Sequence, residues 1–373
     1  MKDLKVRVHV NGIRGKSSVT RLMAGVLRAG EYNTLAKVTG NSPNIINQAG
    51  DDIPIIRKGP ANILEQVKIV NEHVNEKTDA VVLECMAIKP KFQKFLEEQV
   101  INADISIIAN IREDHMEEMG HTLEEIAESL SSTLPKKDGY CITSEDNPKL
   151  REILAQKCKK RGTKFYNALN YKVSDSYMKK FKHREYKPNV QLGVALADIL
   201  GIPKNKAMDE MLLVKPEKEA SVVKKFLFGD KKLIWSNMFS INDKESCELN
   251  LKSIYEEEEC TEKDTAHVCI LNNREDRPDR TIQFLDLISE KSHFDLNITF
   301  GAFKKQIVDR LEKAQKDVFV AADDLVINDP EKFIKQIFEK TNSKCVLLFG
   351  LMNIHTPQAE SLIKYLEKLE PIN

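Results

Sequence analysis

The segment NGIRGKSS, residues 11 to 18, carries the densest chemical signal in the sequence. It follows an alternating apolar run at 4 to 10. It precedes a stretch at 17 to 29 that places Val19, Leu22, Met23, Val26 and Leu27 on one helical face. A Gly-rich turn between a strand and a helix N-terminus suits an anion, because free N–H groups and the helix dipole point at it. Gly12 and Gly15 let the backbone bend and come close to that anion. Residues Asn11, Gly12, Arg14, Gly15 and Ser18 would then surround phosphate oxygens, largely through successive N–H groups. Lys16 would reach the β- and γ-phosphates, and Ser17 would ligate Mg²⁺ through its hydroxyl. The general eight-residue pattern wants glycine where this chain has Val10. The reading therefore leans on the strand–loop–helix context as well as on the motif.

A loop of this kind needs a second metal ligand, usually an acid at the end of a neighbouring strand. Glu84 closes the run DAVVLEC and fits, although a strand-end acid can equally face solvent. The next apolar run, ADISIIANI, leads into REDHMEEMGHT, which holds Arg112, Glu113, Asp114, His115, Glu117, Glu118 and His121. A histidine among acids suits a metal ligand or a general base, and a structural histidine is the alternative. Three segments stand out in the second half. SNMFSINDKES contains Asn237, Asn242 and Asp243. LNNREDRPDR contains Asn272, Arg274, Arg277 and Arg280. FGLMNIHT contains Asn353 and His355. Guanidinium forks bind oxyanions bidentately, so the arginines suit a carboxylate or phosphate clamp. With Asp276 and Asp279 among them, they read equally well as a solvated, mutually paired run.

The elements that must position these residues alternate along the whole chain. Strands are expected at 4–10, 34–38, 80–84, 104–109, 139–143 and 163–166. Helices are expected at 17–29, 61–75, 91–99, 122–133, 147–161 and 189–200. Thr122 and Glu125 form a candidate capping box, and Gly201 with Pro203 should stop the last helix. Residues 167 to 187 carry no clear pattern, and 215 to 220 resemble a linker. Beyond it, residues 226 to 235 predict a hairpin turning at Gly229–Asp230. Strands at 266–271, 296–300, 317–320 and 344–349 then alternate with helices at 243–257, 279–290, 303–314, 330–340 and 357–369. The pattern implies an α/β fold with two domains, 1–217 and 218–373, each a mostly parallel sheet covered by helices.

Composition narrows the function classes. The 373 residues contain 57 Lys plus Arg and 57 Asp plus Glu, so the net charge is zero. That excludes a protein relying on a globally basic surface to bind nucleic acid, but not a local basic site. The seven cysteines (Cys85, Cys141, Cys158, Cys247, Cys260, Cys269 and Cys345) include no C-x-x-C pair, which argues against a disulfide framework or a zinc site and fits a reducing cytoplasm. The N-terminus has no signal-peptide pattern, and no apolar run reaches the ~18 residues that would span a bilayer.

Taken in order, NGIRGKSSVTRL, VVLECMAI, NIREDHMEEMGHT, SNMFSINDKES, NNREDRPDR and FGLMNIH resemble the Mur ligase superfamily of ATP-dependent amide ligases. The closer resemblance is to the ligase subunit of bacterial poly-γ-glutamate synthase, the capsule-synthesis branch. The resemblance implies a Mur-ligase-like P-loop domain at 1–217 followed by a smaller Rossmann-like domain at 218–373. It implies ATP and Mg²⁺ as cofactors. Lys16 and Ser17 would hold phosphates and metal, with Glu84 as acidic Mg²⁺ ligand and His115 at a second Mg²⁺. Lys16, Glu84 and His115 would be the catalytic set. Asn189 would lie near the adenine, Asn242 and Asp243 near the nucleotide, and Asn237, Arg274, Arg277 and Arg280 near an acidic substrate. The implied reaction joins glutamate to a growing γ-glutamyl chain through an acyl phosphate, releasing ADP and phosphate. The implied partner is an integral membrane synthase subunit at the inner face of the cell membrane; nucleic acid is not among the partners, and a homo-oligomer stays open. Alternatives are another Mur or folylpolyglutamate-type amino-acid ligase, or a nucleotide-dependent assembly subunit without ligation activity. The sequence opens directly on the nucleotide-domain strand. The separate N-terminal domain of Mur ligases proper, and the short apolar anchor common in the capsule branch, are therefore expected to be missing.

Overall fold

Alternation in VRVHVN sends Val6, Val8 and Val10 to one face of the first strand and His9 and Asn11 to the other. The valines pack against the helix Lys16–Ala29, whose Val19, Leu22, Met23, Val26 and Leu27 are fully buried. Each such side chain contributes roughly 1.5–3 kcal/mol on burial. His9 and Asn11 face the segment from Pro90 to Ile101, where buried Glu97 and Gln93 meet them.

The computed structural model describes residues 4–40, 43–57, 62–136, 138–216, 223–241, 243–257, 265–291 and 294–372. Asn242 and Cys260 lie outside them. The chain divides into two units, Met1–Ala220 and Ser221–Asn373. Each is a helix-covered, mostly parallel sheet, so the fold class is α/β.

The first unit holds β1 (Val6–Asn11), β2 (Thr34–Val38), β3 (Asn44–Ile46), β4 (Asp52–Pro54), β5 (Ala80–Glu84), β6 (Ile105–Ile108), β7 (Tyr140–Thr143) and β8 (Lys164–Asn167). Their order in the sheet is β4-β3-β2-β5-β1-β6-β7-β8. The strands from β2 to β8 run parallel, while β3 and β4 add an antiparallel edge. β1 is flanked by β5 and β6, with Val10 opposite Glu84 and Asn11 opposite Ile108. The loops that follow these three strands therefore emerge side by side at their carboxyl ends, where ligands bind in open α/β sheets.

The second unit holds β9 (Val223–Phe228), β10 (Lys231–Met238), β11 (Thr265–Asn273), β12 (Leu296–Gly301), β13 (Val318–Val320) and β14 (Cys345–Leu351), ordered β13-β12-β11-β14-β10-β9. The β9–β10 hairpin turns at Gly229–Asp230 as expected and runs on to Met238.

Several local expectations are corrected. The helix Lys204–Leu213 was not foreseen, because Pro203 reads as a stop signal yet here opens a new helix. Its Met211 packs so closely that a Cβ at Gly193 would lie 2.4 Å from the sulfur. The three-residue strands β3 and β4 are too short to show alternation. The helix expected at 91–99 is α-helical at Pro90–Phe95 and becomes a π-helix at Leu96–Ile101. At the expected capping box, Thr122 Oγ1 accepts the Glu125 N–H, but the Glu125 carboxylate turns to the His121 N–H instead of returning to Thr122.

Candidate active site

Gly12 has φ 127° and Gly15 φ 73°, both in the region that side chains resist. A Cβ at Gly12 would stand 3.0 Å from the Ala109 nitrogen, so the loop can lie against the end of β6 only with glycine there. Asn110 pins the loop. Its side chain accepts the Arg14 N–H at 2.9 Å and donates to the Arg14 carbonyl at 3.0 Å. Its carbonyl accepts the Ile13 N–H at 3.2 Å. The Lys16 ammonium folds over the loop and donates to the Gly12 and Ile13 carbonyls at 2.9 and 3.1 Å. It is half-buried at the N-terminus of the helix, an end whose free N–H groups and dipole favour an anion.

The Asn11 side chain points inward. It donates to Gln93 and Thr133 and accepts the Gly12 N–H, so it shapes the loop from beneath. Ser18 is half-buried in the first helical turn. Asn189 is buried, donates to Glu185 at 2.8 Å, and has its amide 3.5 Å from where a Gly15 Cβ would be.

Glu84 is 3% exposed at the end of β5. Its Oε2 accepts from the Ser17 hydroxyl at 2.8 Å and from the Thr39 N–H at 2.8 Å; its Oε1 accepts from the Thr39 hydroxyl at 2.9 Å. A hydroxyl and a carboxylate in contact are hard oxygen donors that fit Mg²⁺, which is commonly held by one or two carboxylates plus substrate phosphates. Among the described residues no three His, Cys, Asp or Glu side chains form a metal cage.

His115 lies on the other side of β1, in the loop after β6, with a left-handed backbone of φ 49°. Its N–H donates to Asp114 Oδ1 at 2.9 Å, and its Nε2 is 3.8 Å from Asp114 Oδ2. Asp114 also pairs with Arg14 at 3.0 Å, tying the His115 loop to the glycine loop. Arg112 is engaged elsewhere, with Glu145 and Asp146. Burial pushes the Glu145 carboxyl up, against the pull of the Asn147 N–H and Arg112.

In the second unit, Asn237 lies near the end of β10 and accepts the Phe239 N–H at 3.3 Å. Asp243 is buried and accepts the Ser246 N–H at 2.8 Å in the first turn of the helix Lys244–Glu257. Arg274 grips Asp276 bidentately at 2.9 and 2.8 Å, which holds that carboxyl below its ordinary range. Arg277 is half-exposed, 3.8 Å from the same acid. Arg280 instead donates to Asn353 Oδ1 at 3.3 Å. Asn353 joins a buried lattice: its amide donates to the Asn272 carbonyl, and Asn272 donates back to the Asn353 carbonyl and to Thr356. Met352 and Asn353 are both left-handed, at φ 58° and 56°.

The structure thus joins Ser17 to Glu84, and Arg14 through Asp114 to the His115 loop. Thr39, Asn110 and Asp114 were not singled out for these tasks by sequence reasoning. Thr39 follows β2 directly and Glu84 closes β5, so the strand-end rule could have pointed to it. No described helix is long and apolar enough to cross a membrane.

Residues 10–196 match the family model described as Mur ligase middle domain, and residues 223–369 match the one described as poly-gamma-glutamate synthase CapB C-terminal domain. The chain is 34% identical over 367 residues to the PGA synthase CapB of Bacillus subtilis (strain 168), covering 97% of this chain and 90% of that one. It is 33% identical over 315 residues to the capsule biosynthesis protein CapB of Bacillus anthracis, covering 84% and 67%. Two solved structures share the fold at low identity. E. coli FolC in complex with DHPP and ADP superposes with a TM-score of 0.63 at 12% identity, covering 98% of this chain and 89% of that one. The bifunctional folylpolyglutamate synthase/dihydrofolate synthase of Yersinia pestis, complexed with AMPPNP and Mn ion, gives 0.64 at 11% identity, covering 98% and 90%.

Proposed function

The chain belongs to the Mur ligase family, in its poly-gamma-glutamate synthase CapB branch, and is an ATP-dependent amide ligase; from that premise we propose that it adds glutamate to a γ-glutamyl chain through an acyl phosphate. The observation that carries this reading is the Ser17–Glu84 contact beside the glycine loop and Lys16.

In the proposed first step a carboxylate oxygen of the acceptor attacks the γ-phosphorus of ATP. The bond from that phosphorus to the β,γ-bridging oxygen breaks, and ADP leaves. In the second step the amine of the incoming glutamate attacks the acyl carbon. The carbon–oxygen bond to phosphate breaks, phosphate leaves, and the amine loses a proton. Attack on a triphosphate by a carboxylate brings like charges together, so the protein's main tasks are to hold the reactants in line and to offset charge. Lys16 leaves the Gly12 and Ile13 carbonyls for the phosphate oxygens, and the N–H groups at the start of the helix Lys16–Ala29 complete the cradle. Ser17 and Glu84 would hold Mg²⁺, with His115 at a second ion across β1. When bound, the metal neutralises the developing charge on the phosphates. Arg274, Arg277, Arg280 and Asn237 are assigned to the acidic substrate, and Asn189, Asp243 and Asn242 to the nucleotide. An integral membrane synthase subunit is the proposed partner.

The deciding experiment is phosphate release with ATP, Mg²⁺ and each glutamate enantiomer, with and without short γ-glutamyl acceptors. Glutamate-dependent formation of ADP and phosphate is expected. Formation of AMP and pyrophosphate would overturn the acyl-phosphate route.

A further inference from the structure

Next to Glu84 lies an ion cluster that the reaction as derived does not use. Lys37, on β2, is fully buried, with its Nζ 3.1 Å from Glu65 Oε1 and 3.8 Å from the Met86 sulfur. Glu65 sits in the first turn of the helix Leu64–His73, where the helix dipole favours an acid. It also receives the Arg57 fork, Nε at 2.6 Å and Nη2 at 3.0 Å. The same Nη2 donates to the Thr39 carbonyl at 3.3 Å. Thr39 thus stands between the cluster and Glu84. Its carbonyl accepts from Arg57, while its N–H and hydroxyl donate to the two oxygens of the Glu84 carboxylate.

Lysine is among the residues least often buried, and a buried ion pair is commonly no more stable than apolar side chains of similar volume. Stability alone therefore does not explain Lys37 near the end of β2. Its placement does: Lys37 is on the strand that ends just before Thr39, and Glu65 grips both that strand and Arg57.

We propose that Lys37, Arg57 and Glu65 are positioning residues that fix Thr39 and so aim the Glu84 carboxylate at the nucleotide's Mg²⁺. The inference rests on the reading of Glu84 as a metal ligand given above. Without the cluster, Thr39 would still be bonded to Glu84, but the pair could drift together away from Ser17. Loss of such an aiming contact commonly lowers metal affinity by ~10–100-fold.

The test uses the full chain carrying Lys37→Met, Arg57→Lys or Glu65→Gln, with Glu84→Gln as the reference. Three quantities are read. One is Mn²⁺ binding in the presence of a non-hydrolysable ATP analogue, followed by the free-ion electron paramagnetic resonance signal. The second is the Mg²⁺ concentration giving half-maximal phosphate release, and the third is the melting temperature. Lys37→Met takes one partner from Glu65, which keeps Arg57, so it should melt below the parent temperature while losing about tenfold in Mn²⁺ affinity, with the Mg²⁺ requirement raised in step and turnover at saturating Mg²⁺ nearly retained. Arg57→Lys keeps the charge but loses the fork, so it should move the same way. It carries the test if Lys37→Met does not fold. Parent-like Mn²⁺ binding in the folded Lys37 and Arg57 variants, with binding lost in Glu84→Gln, would overturn the proposal and leave the reading of Glu84 standing. Parent-like binding in Glu84→Gln itself would overturn both.

Discussion

The two units treat their candidate functional residues in opposite ways. In the first, Ser17 and Thr39 both donate to Glu84, which is almost wholly buried. In the second, Arg274 and Arg277 share the exposed acid Asp276, and only Arg280 reaches a buried partner, Asn353. A buried polar group is costly unless its bonds are satisfied, so its position is fixed by the fold. An exposed ion pair is worth little and can be exchanged for a ligand. The first arrangement suits a charge that must be stabilised with no reorganisation, the second a substrate that arrives and leaves.

That contrast is broken most severely at Lys16 and Glu84. Replacing either by alanine should remove ~2.7–4 kcal/mol of transition-state stabilisation, a loss of roughly 10²–10³-fold. Glutamate-dependent phosphate release measures it directly. Near-normal turnover in both variants would remove the basis for assigning the first unit the phosphoryl chemistry.

A second contrast is electrostatic. His9, beneath the glycine loop, is completely buried beside Glu97 at 2.9 Å. Burial opposes its charge, but Cys85 and Glu97 outweigh burial and raise its pKa from 6.5 to about 9. His267 in the second unit is instead lowered by burial, against the pull of Asp295. The two signs differ. A raised pKa gives His9 a stabilisation fully present below pH 6.5 and lost as pH rises to about 9. A lowered pKa gives His267 a stabilisation present above 6.5 and lost as pH falls through its folded-state value. Hydrogen exchange of the β1 amides should therefore report weakening of the first unit, by up to about 3 kcal/mol, between pH 6.5 and 9. Urea unfolding followed by the single tryptophan, Trp235 on β10, should show the second unit weakening on the acid side. A first-unit profile left unchanged by His9→Gln would count against the assignment.

How much of this was legible follows from how local each signal is. The glycine loop was readable because its chemistry and the flanking periodicities lie within about thirty residues. Glu84 was singled out by the rule that strand ends carry function, and the structure places it against Ser17. Thr39 carries no signal in its own type, and its partner Glu84 is 45 residues away. Lys37 could not be read at all: a lysine in a strand suggests the solvent face, and only the tertiary fold places Glu65 against it. The helix Lys204–Leu213 was hidden by Pro203, since proline both follows helices and begins them. The arginine run stayed ambiguous because an oxyanion clamp and mutual pairing with Asp276 and Asp279 are both compatible with the same spacing.

That ambiguity sets the smallest and most discriminating test. Arg274→Ala removes an exposed pair whose net worth is about 0–1 kcal/mol, so folding should barely change. Arg280→Ala leaves the buried Asn353 without one of its bonds, although the Asn272 contacts remain to hold the turn. If the three arginines form one carboxylate clamp, both variants should raise the KM for glutamate or acceptor by similar factors, with KM for ATP unchanged. If Asp276 merely neutralises its neighbours, Arg274→Ala will be silent and Arg280→Ala alone will raise KM. The second outcome would restrict the substrate role to the arginine anchored in the Asn272–Asn353 lattice. The contrast would then lie within the second unit as well as between the two, because the arginine bonded to a buried partner would again be the one that matters.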